Sequence, residues 1–311
     1  MSTKRSRRGA RPRPGFDRRT SAARGRRRGP SLIIIAGGLV AIALAAVLVV
    51  RPWADEGDAV SWSTLGTADV HSPAFDPGNG SRLYFGHHGG LLESRDGGRS
   101  WQAATLSGAD AMNVRIGEDR AQIAGHDVYL ESIDGGVTWQ PVPNDLPGLD
   151  LHAFAIDPGD ADHAWAFAAG FGLFETTDAG RHFSLRQPGN WGYLAAYRQG
   201  DDTVLLAVGQ DGLVRSSDGG ASWGEALAYP GAALAGGLAA ATDGSVLYVA
   251  TTAGLRRSTD GGASWQPTAF SGVVLAIALA PGDPRAVAIV DEATRFYRSP
   301  DGGATWPGPS G

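Results

Sequence analysis

The chain has 311 residues with 27 basic and 32 acidic side chains, and its formal charge of −5 hides a sharp asymmetry. Residues 1–29 hold Lys4 and eleven arginines against Asp17 alone, a local +11, while residues 52–311 carry 14 basic and 31 acidic groups, or −17. Such an acidic main body disfavours polyanionic partners, nucleic acid included, and with no cysteine the fold has no disulfide to rely on.

The first thirty residues, rich in Arg, Gly and Pro and poor in apolar groups, have the composition of a disordered arm that buries too little surface to offset its entropy. Leu32–Val50 follows without a charge or a proline. At about 1.5 Å per residue that run spans roughly 28 Å as a helix, close to the hydrocarbon thickness of a bilayer. It exceeds the apolar region of a cleavable signal peptide, and the sequence Arg51-Pro52-Trp53-Ala54-Asp55-Glu56 after it offers no small-x-small cleavage site. Residues 31–51 are therefore read as an uncleaved signal anchor, a single transmembrane helix in the plasma membrane. The basic arm sits in the cytoplasm by the positive-inside rule, and the rest of the chain lies outside.

Residues 52–65 are a linker that ends in Val60–Leu65, where Val60 and Trp62 alternate with Ser61 and Ser63 as in a half-buried strand. From residue 66 onward one octapeptide recurs. Its full form is Ser132-Ile133-Asp134-Gly135-Gly136-Val137-Thr138-Trp139, and the other copies begin at Ser94, Thr176, Ser216, Ser258 and Ser299. Their aspartates are Asp96, Asp134, Asp178, Asp218, Asp260 and Asp301, separated by 38, 44, 40, 42 and 41 residues, a period that marks a repeat architecture. Chemically the octapeptide is a turn: Asp accepts from nearby backbone N–H groups, the glycines supply positive φ, and the closing Trp offers a broad apolar face. The third copy departs most, with Ala179 for Gly and Phe183 for Trp.

The pattern S-x-D-G-G-x-[ST]-W resembles the Asp-box, or bacterial neuraminidase repeat, and residues 66–311 resemble an Asp-box β-propeller. The resemblance implies an all-β, six-bladed propeller preceded by one transmembrane helix, with each box on the hairpin between the third and fourth strands, away from the ligand face. Such propellers include sialidases, other glycoside hydrolases, sortilin-type receptors and photosystem assembly factors, so the boxes speak for fold and not for chemistry. The first blade is predicted to have strands near 70–76, 81–86, 90–94 and 101–105. The sixth ends in Pro307-Gly308-Pro309-Ser310-Gly311, too proline-rich for a strand, and Val60–Leu65 is expected to close the ring in its place. The Ala-rich stretch 232–241 is read as an inner strand because Gly236 and Gly237 argue against a helix.

Repeat register assigns faces. The loops opposite the boxes should carry His71, His87, His88, Asp110, Asn113, Arg115, His126, Asp127, Asn144, Asp145, Asp150 and His152 from the first three blades, while Asn190, Trp191, Tyr193, Gln210, Asp211, Asp291 and Glu292 extend the rim. The binding set drawn from these is His71, His87, His88, His126, Asp127, Asp150, His152, Trp191, Asp211, Asp291 and Glu292. Histidines and carboxylates suit a metal or acid–base chemistry, but no H-x-x-x-H or similar local spacing is present, so no metal or other cofactor is expected and hydrogen bonding to a ligand is the reading adopted. Two functions fit. One is a membrane-anchored module that binds a glycan, peptide or envelope protein. The other is an exo-glycosidase similar to sialidases. The resemblance to sialidases would require an arginine triad, yet the F-R-I-P segment is missing and only Arg115 and Arg186 are expected on the ligand face. Catalytic residues are not assigned.

Overall fold

The computed structural model describes Trp62 and residues 70–209, 212–224, 227 and 234–307. The arm, the apolar run 32–50 and Asp211 fall outside them. Among the described residues no helix is long and apolar enough to cross a membrane.

Six antiparallel sheets form in chain order. Blade one consists of Ser72–Asp76, Asn79–His87, Gly90–Ser94 and Gln102–Ser107, close to the strands predicted for it. The innermost strands of the other blades are Asn113–Ile116, Leu151–Asp157, Gly192–Gln199, Leu234–Ala240 and Val274–Ala280. Each lies beside the next around the channel, and the sixth lies beside the first, so the ring is closed. Second strands such as Leu247–Thr251, buried along their whole length, are covered by neighbouring blades on both faces. Between every two adjacent blades sits a separate apolar cluster, six in all.

Small inner-strand residues let the blades converge. Gly236 shows the need: a Cβ there would stand 2.5 Å from the carbonyl oxygen of Leu275 on the sixth blade, and Gly237 adopts φ +100. The stretch that includes them is the strand Leu234–Ala240, as expected, with an irregular register between Leu234 and Leu238.

The expected closing strand Val60–Leu65 lies, apart from Trp62, outside the described residues. Four blades have four strands, but the fourth and sixth have three among the described residues. Trp62, the one described residue of the predicted closing strand, has helical backbone. Its indole is buried between the first and last blades, with ring centroids 4.7 Å from Phe85, 5.1 Å from Trp101 and 5.7 Å from Phe296. The indole N–H donates to the Thr294 carbonyl. The Trp62 indole is thus an aromatic wedge that packs the first blade against the last.

Candidate functional site

The Asp-box network is local and complete. In the second copy, the Ser132 hydroxyl donates to Asp134 Oδ1 at 2.8 Å and accepts from Gly136 N–H. Thr138 N–H donates to Oδ1 and the Thr138 hydroxyl to Oδ2 at 2.6 Å. The Trp139 indole N–H donates to the Gly136 carbonyl. These donors hold the carboxyl of Asp134, through Thr138 first, down to about 2. Asp218, Asp260 and Asp301 are lowered to about 2 in the same way by Ser222, Ser264 and Thr305. In the third copy His182 replaces the hydroxyl residue, its Nδ1 lies 2.6 Å from Asp178 Oδ2, and hydrogen bonds from His182 hold Asp178 well below the usual carboxylate range. Each carboxylate is consumed by its own turn.

The channel is different. Inner-strand starts from all six blades line a cavity of about 360 Å³, among them His71, Arg115, His152, Trp191, Tyr193 and Ile277. Inner-strand ends line a second cavity of about 190 Å³ at the other mouth, and Arg115 borders both. The Arg115 guanidinium donates to the carbonyls of Val114 at 2.9 Å and Phe154 at 2.5 Å, and touches the Ser72 hydroxyl at 3.5 Å. No carboxylate pairs with it among the described residues, and burial lowers its pKa to about 10.

Beside this opening, blades one to three bring together a row of imidazoles and carboxylates. His71 Nε2 lies 3.0 Å from His88 Nδ1 and 3.4 Å from Asp110 Oδ1. His126 bridges Asp110 and Asp150, at 2.6 Å through Nδ1 and 3.1 Å through Nε2, and His152 Nε2 lies 2.8 Å from Asp150 Oδ1. His71 precedes the inner strand of blade one, His88 and His126 occupy turns after second strands, and Asp110 and Asp150 lie between blades. An isolated bridge between His126 and Asp150 joins blades two and three.

Residues 64–308 match the family model described as photosynthesis system II assembly factor YCF48. The chain belongs to the YCF48 family. A solved structure described as YCF48 bound to D1 peptide is 21% identical, with a TM-score of 0.50 over 77% of this chain and 80% of that one. A xyloglucanase of family GH74 from Xanthomonas campestris is 18% identical, with a TM-score of 0.54 over 78% of this chain but 45% of that one. At these identities the likeness is one of fold. No curated protein matches this chain.

This YCF48-family propeller places the other predicted site residues less uniformly. Asp291 is buried, not presented to a ligand: it accepts from Ala293 and Arg295 N–H, from the Arg295 side chain at 2.8 Å and from the Tyr297 hydroxyl at 3.3 Å. Glu292 beside it is exposed. Asp127 sits at φ 55 and makes a tight turn. The Nδ1 of His87 accepts from Gly89 N–H at 3.1 Å, which caps the loop leading to His88. Trp191 reaches the channel but also stacks on Trp223 with centroids 4.6 Å apart.

Arg186 is not on the ligand face. Its guanidinium donates to the Asp218 and Gly219 carbonyls of the next box, and lies 3.3 Å from Glu175. Asp145 accepts from Phe183 N–H, and buried Asn113 donates to the Leu151 carbonyl, so both staple neighbouring blades. Arg115 is the important residue that the binding set left out. Its signal in the sequence was an arginine at an inner-strand position flanked by Val114 and Ile116.

Proposed function

We propose that this chain is a membrane-tethered binding propeller, held by residues 32–50 with its arm in the cytoplasm, that captures an extended peptide of an envelope protein at the channel mouth. The observation that carries this is Arg115. A half-buried guanidinium that meets only neutral acceptors among the described residues leaves its charge uncompensated, and a ligand carboxylate entering the 360 Å³ cavity supplies the missing partner. Tyr193, 40% exposed, and Trp191 offer apolar walls beside it. A peptide-bound relative of the same family supports the class of ligand. Glycan binding has no comparable support.

The hydrolase reading is weaker on its own terms. Most glycoside hydrolases need two carboxyl groups facing the reacting bond, and a sialidase-like enzyme needs an arginine triad; among the described residues the 360 Å³ cavity is lined by no carboxylate and by Arg115 as its one arginine. Asp110 and Asp150 are tied to histidines, and Asp291 to its turn.

The test is a library of short peptides with free C-termini or acidic side chains, and its amidated, neutral counterpart, presented to the full chain in detergent. Capture of carboxylate-bearing peptides that falls at least tenfold in Arg115→Gln, with melting unchanged, is the expected result. Equal capture of the neutral library, or by Arg115→Gln, removes the proposal. Turnover of a fluorogenic glycoside would restore the enzymatic reading.

A further inference from the structure

The His and Asp row on blades one to three has more convergence than a peptide mouth requires. Nε2 of His71 faces two groups at once, the Nδ1 of His88 at 3.0 Å and Oδ1 of Asp110 at 3.4 Å. A single proton on that nitrogen serves one of them, not both. Oδ1 of Asp110 is enclosed and accepts no hydrogen bond. Ligand atoms from all three residues fit within 4.8 Å of one another. Around a tetrahedral ion with bonds of about 2.0–2.1 Å, donor atoms stand roughly 3.3 Å apart, and the two separations from His71 Nε2, 3.0 Å and 3.4 Å, bracket that value.

We infer that His71, His88 and Asp110 form a binding site for a divalent transition-metal ion, Zn²⁺ or Cu²⁺. Two imidazoles and one carboxylate, with no thiolate anywhere in the chain, suit these borderline ions and give little affinity for Mg²⁺ or Ca²⁺, which take oxygen ligands. Three protein donors leave a coordination position open toward the mouth, because His88 is half exposed while His71 and Asp110 are mostly covered.

The rest of the row supports the ligands. Oδ2 of Asp110 is held by His126 Nδ1 at 2.6 Å, and the far nitrogen of His126 is held by Asp150 at 3.1 Å. His152 fixes Asp150 in turn at 2.8 Å. This is the outer arrangement that orients a ligating carboxylate and raises metal affinity. The reason the sequence carries no metal motif is that the donors come from positions 71, 88 and 110, on an inner-strand start, a turn and an inter-blade loop.

Titration calorimetry of the full chain in detergent, produced without a polyhistidine tag, with ZnCl₂ and CuSO₄ and with MgCl₂ and CaCl₂ as controls, tests the site. One equivalent of Zn²⁺ or Cu²⁺ is expected to bind, with binding abolished in His71→Ala and His88→Gln and weakened about tenfold in His126→Gln. Because His71→Ala removes a mostly covered ring from the blade, His88→Gln at the half-exposed ring carries the decision, and its melting temperature in EDTA should equal that of the parent. Electron paramagnetic resonance of the Cu²⁺ form should show two coupled nitrogens, reduced to one in His88→Gln. Absence of Zn²⁺ and Cu²⁺ binding, unchanged binding in His88→Gln, or equal binding of Mg²⁺ and Ca²⁺ overturns the site. Peptide capture by Arg115 is measured separately, in EDTA, so either reading can fail without the other.

Discussion

At the scale of single residues, the six box aspartates act as turn staples whose worth depends on being ionised. Asp134→Ala replaces the acceptor of the Val137 and Thr138 N–H groups by water, and because these groups are exposed a loss of about 1 kcal/mol is expected in chemical unfolding. Binding should fall only as folding does. The pH dependence follows from the direction of the shifts. Four of these carboxyls titrate near 2 in the folded chain against an ordinary 3.8, so their contribution is present above the ordinary value and lost as pH falls through about 2. Melting temperature should be level near pH 5, drop between about pH 4 and 2, and drop less when Asp134 and Asp218 are changed to Asn. His182 has the opposite sign. Its hydrogen bond to Asp178 raises its pKa above 6.5, so that pair stabilises below the ordinary histidine value and loses the benefit as pH rises through the raised one. His182→Thr, which restores the pattern of the other copies, should flatten the dependence of melting temperature on pH between 6 and 8; a slope unchanged from the parent would show that the pair does not matter.

At the scale of elements, the seam between the last and first blades is where stability is concentrated in one side chain. Trp62 touches Phe85, Trp101 and Phe296, and removing it leaves a void lined by rings from two blades. Trp62→Ala should cost about 3–5 kcal/mol, while deletion of residues 1–29 should leave the melting of the propeller unchanged. Similar melting of Trp62→Ala and the parent would mean that the seam closes by other contacts. The inner ring is equally intolerant of added volume: Gly236→Ala drives a Cβ against the backbone at Leu275 and should destabilise by about 1–3 kcal/mol.

At the scale of the whole molecule, charge divides the chain into a +11 arm and a −17 body on either side of the apolar run. The proposed topology has a direct test: protease applied to the outer face of intact cells should remove residues 55–311 and spare the arm, and protection of the propeller would reverse the orientation. The sequence by itself determined the repeat, the blade number and the turn chemistry, because an Asp-box hydrogen bond spans four residues and depends on nothing distant. It also placed His71, His88, Asp110, His126, Asp150 and His152 on one face, since repeat register sorts loops by end of blade. Only the tertiary structure decided what those residues do together. His71 and His88 meet because the first two strands of blade one pair in register, with Ser72 opposite Gly86, and Asp110 reaches His71 from the loop that leads to blade two, so their convergence depends on strand pairing and loop path and not on local sequence. The same holds for Asp291, turned inward by Arg295 and Tyr297, and for Arg186, drawn onto the neighbouring box. A strand pattern of alternating residues described Trp62 correctly as buried and wrongly as extended, because burial follows from composition while backbone conformation at a seam is imposed by the two surfaces that it joins.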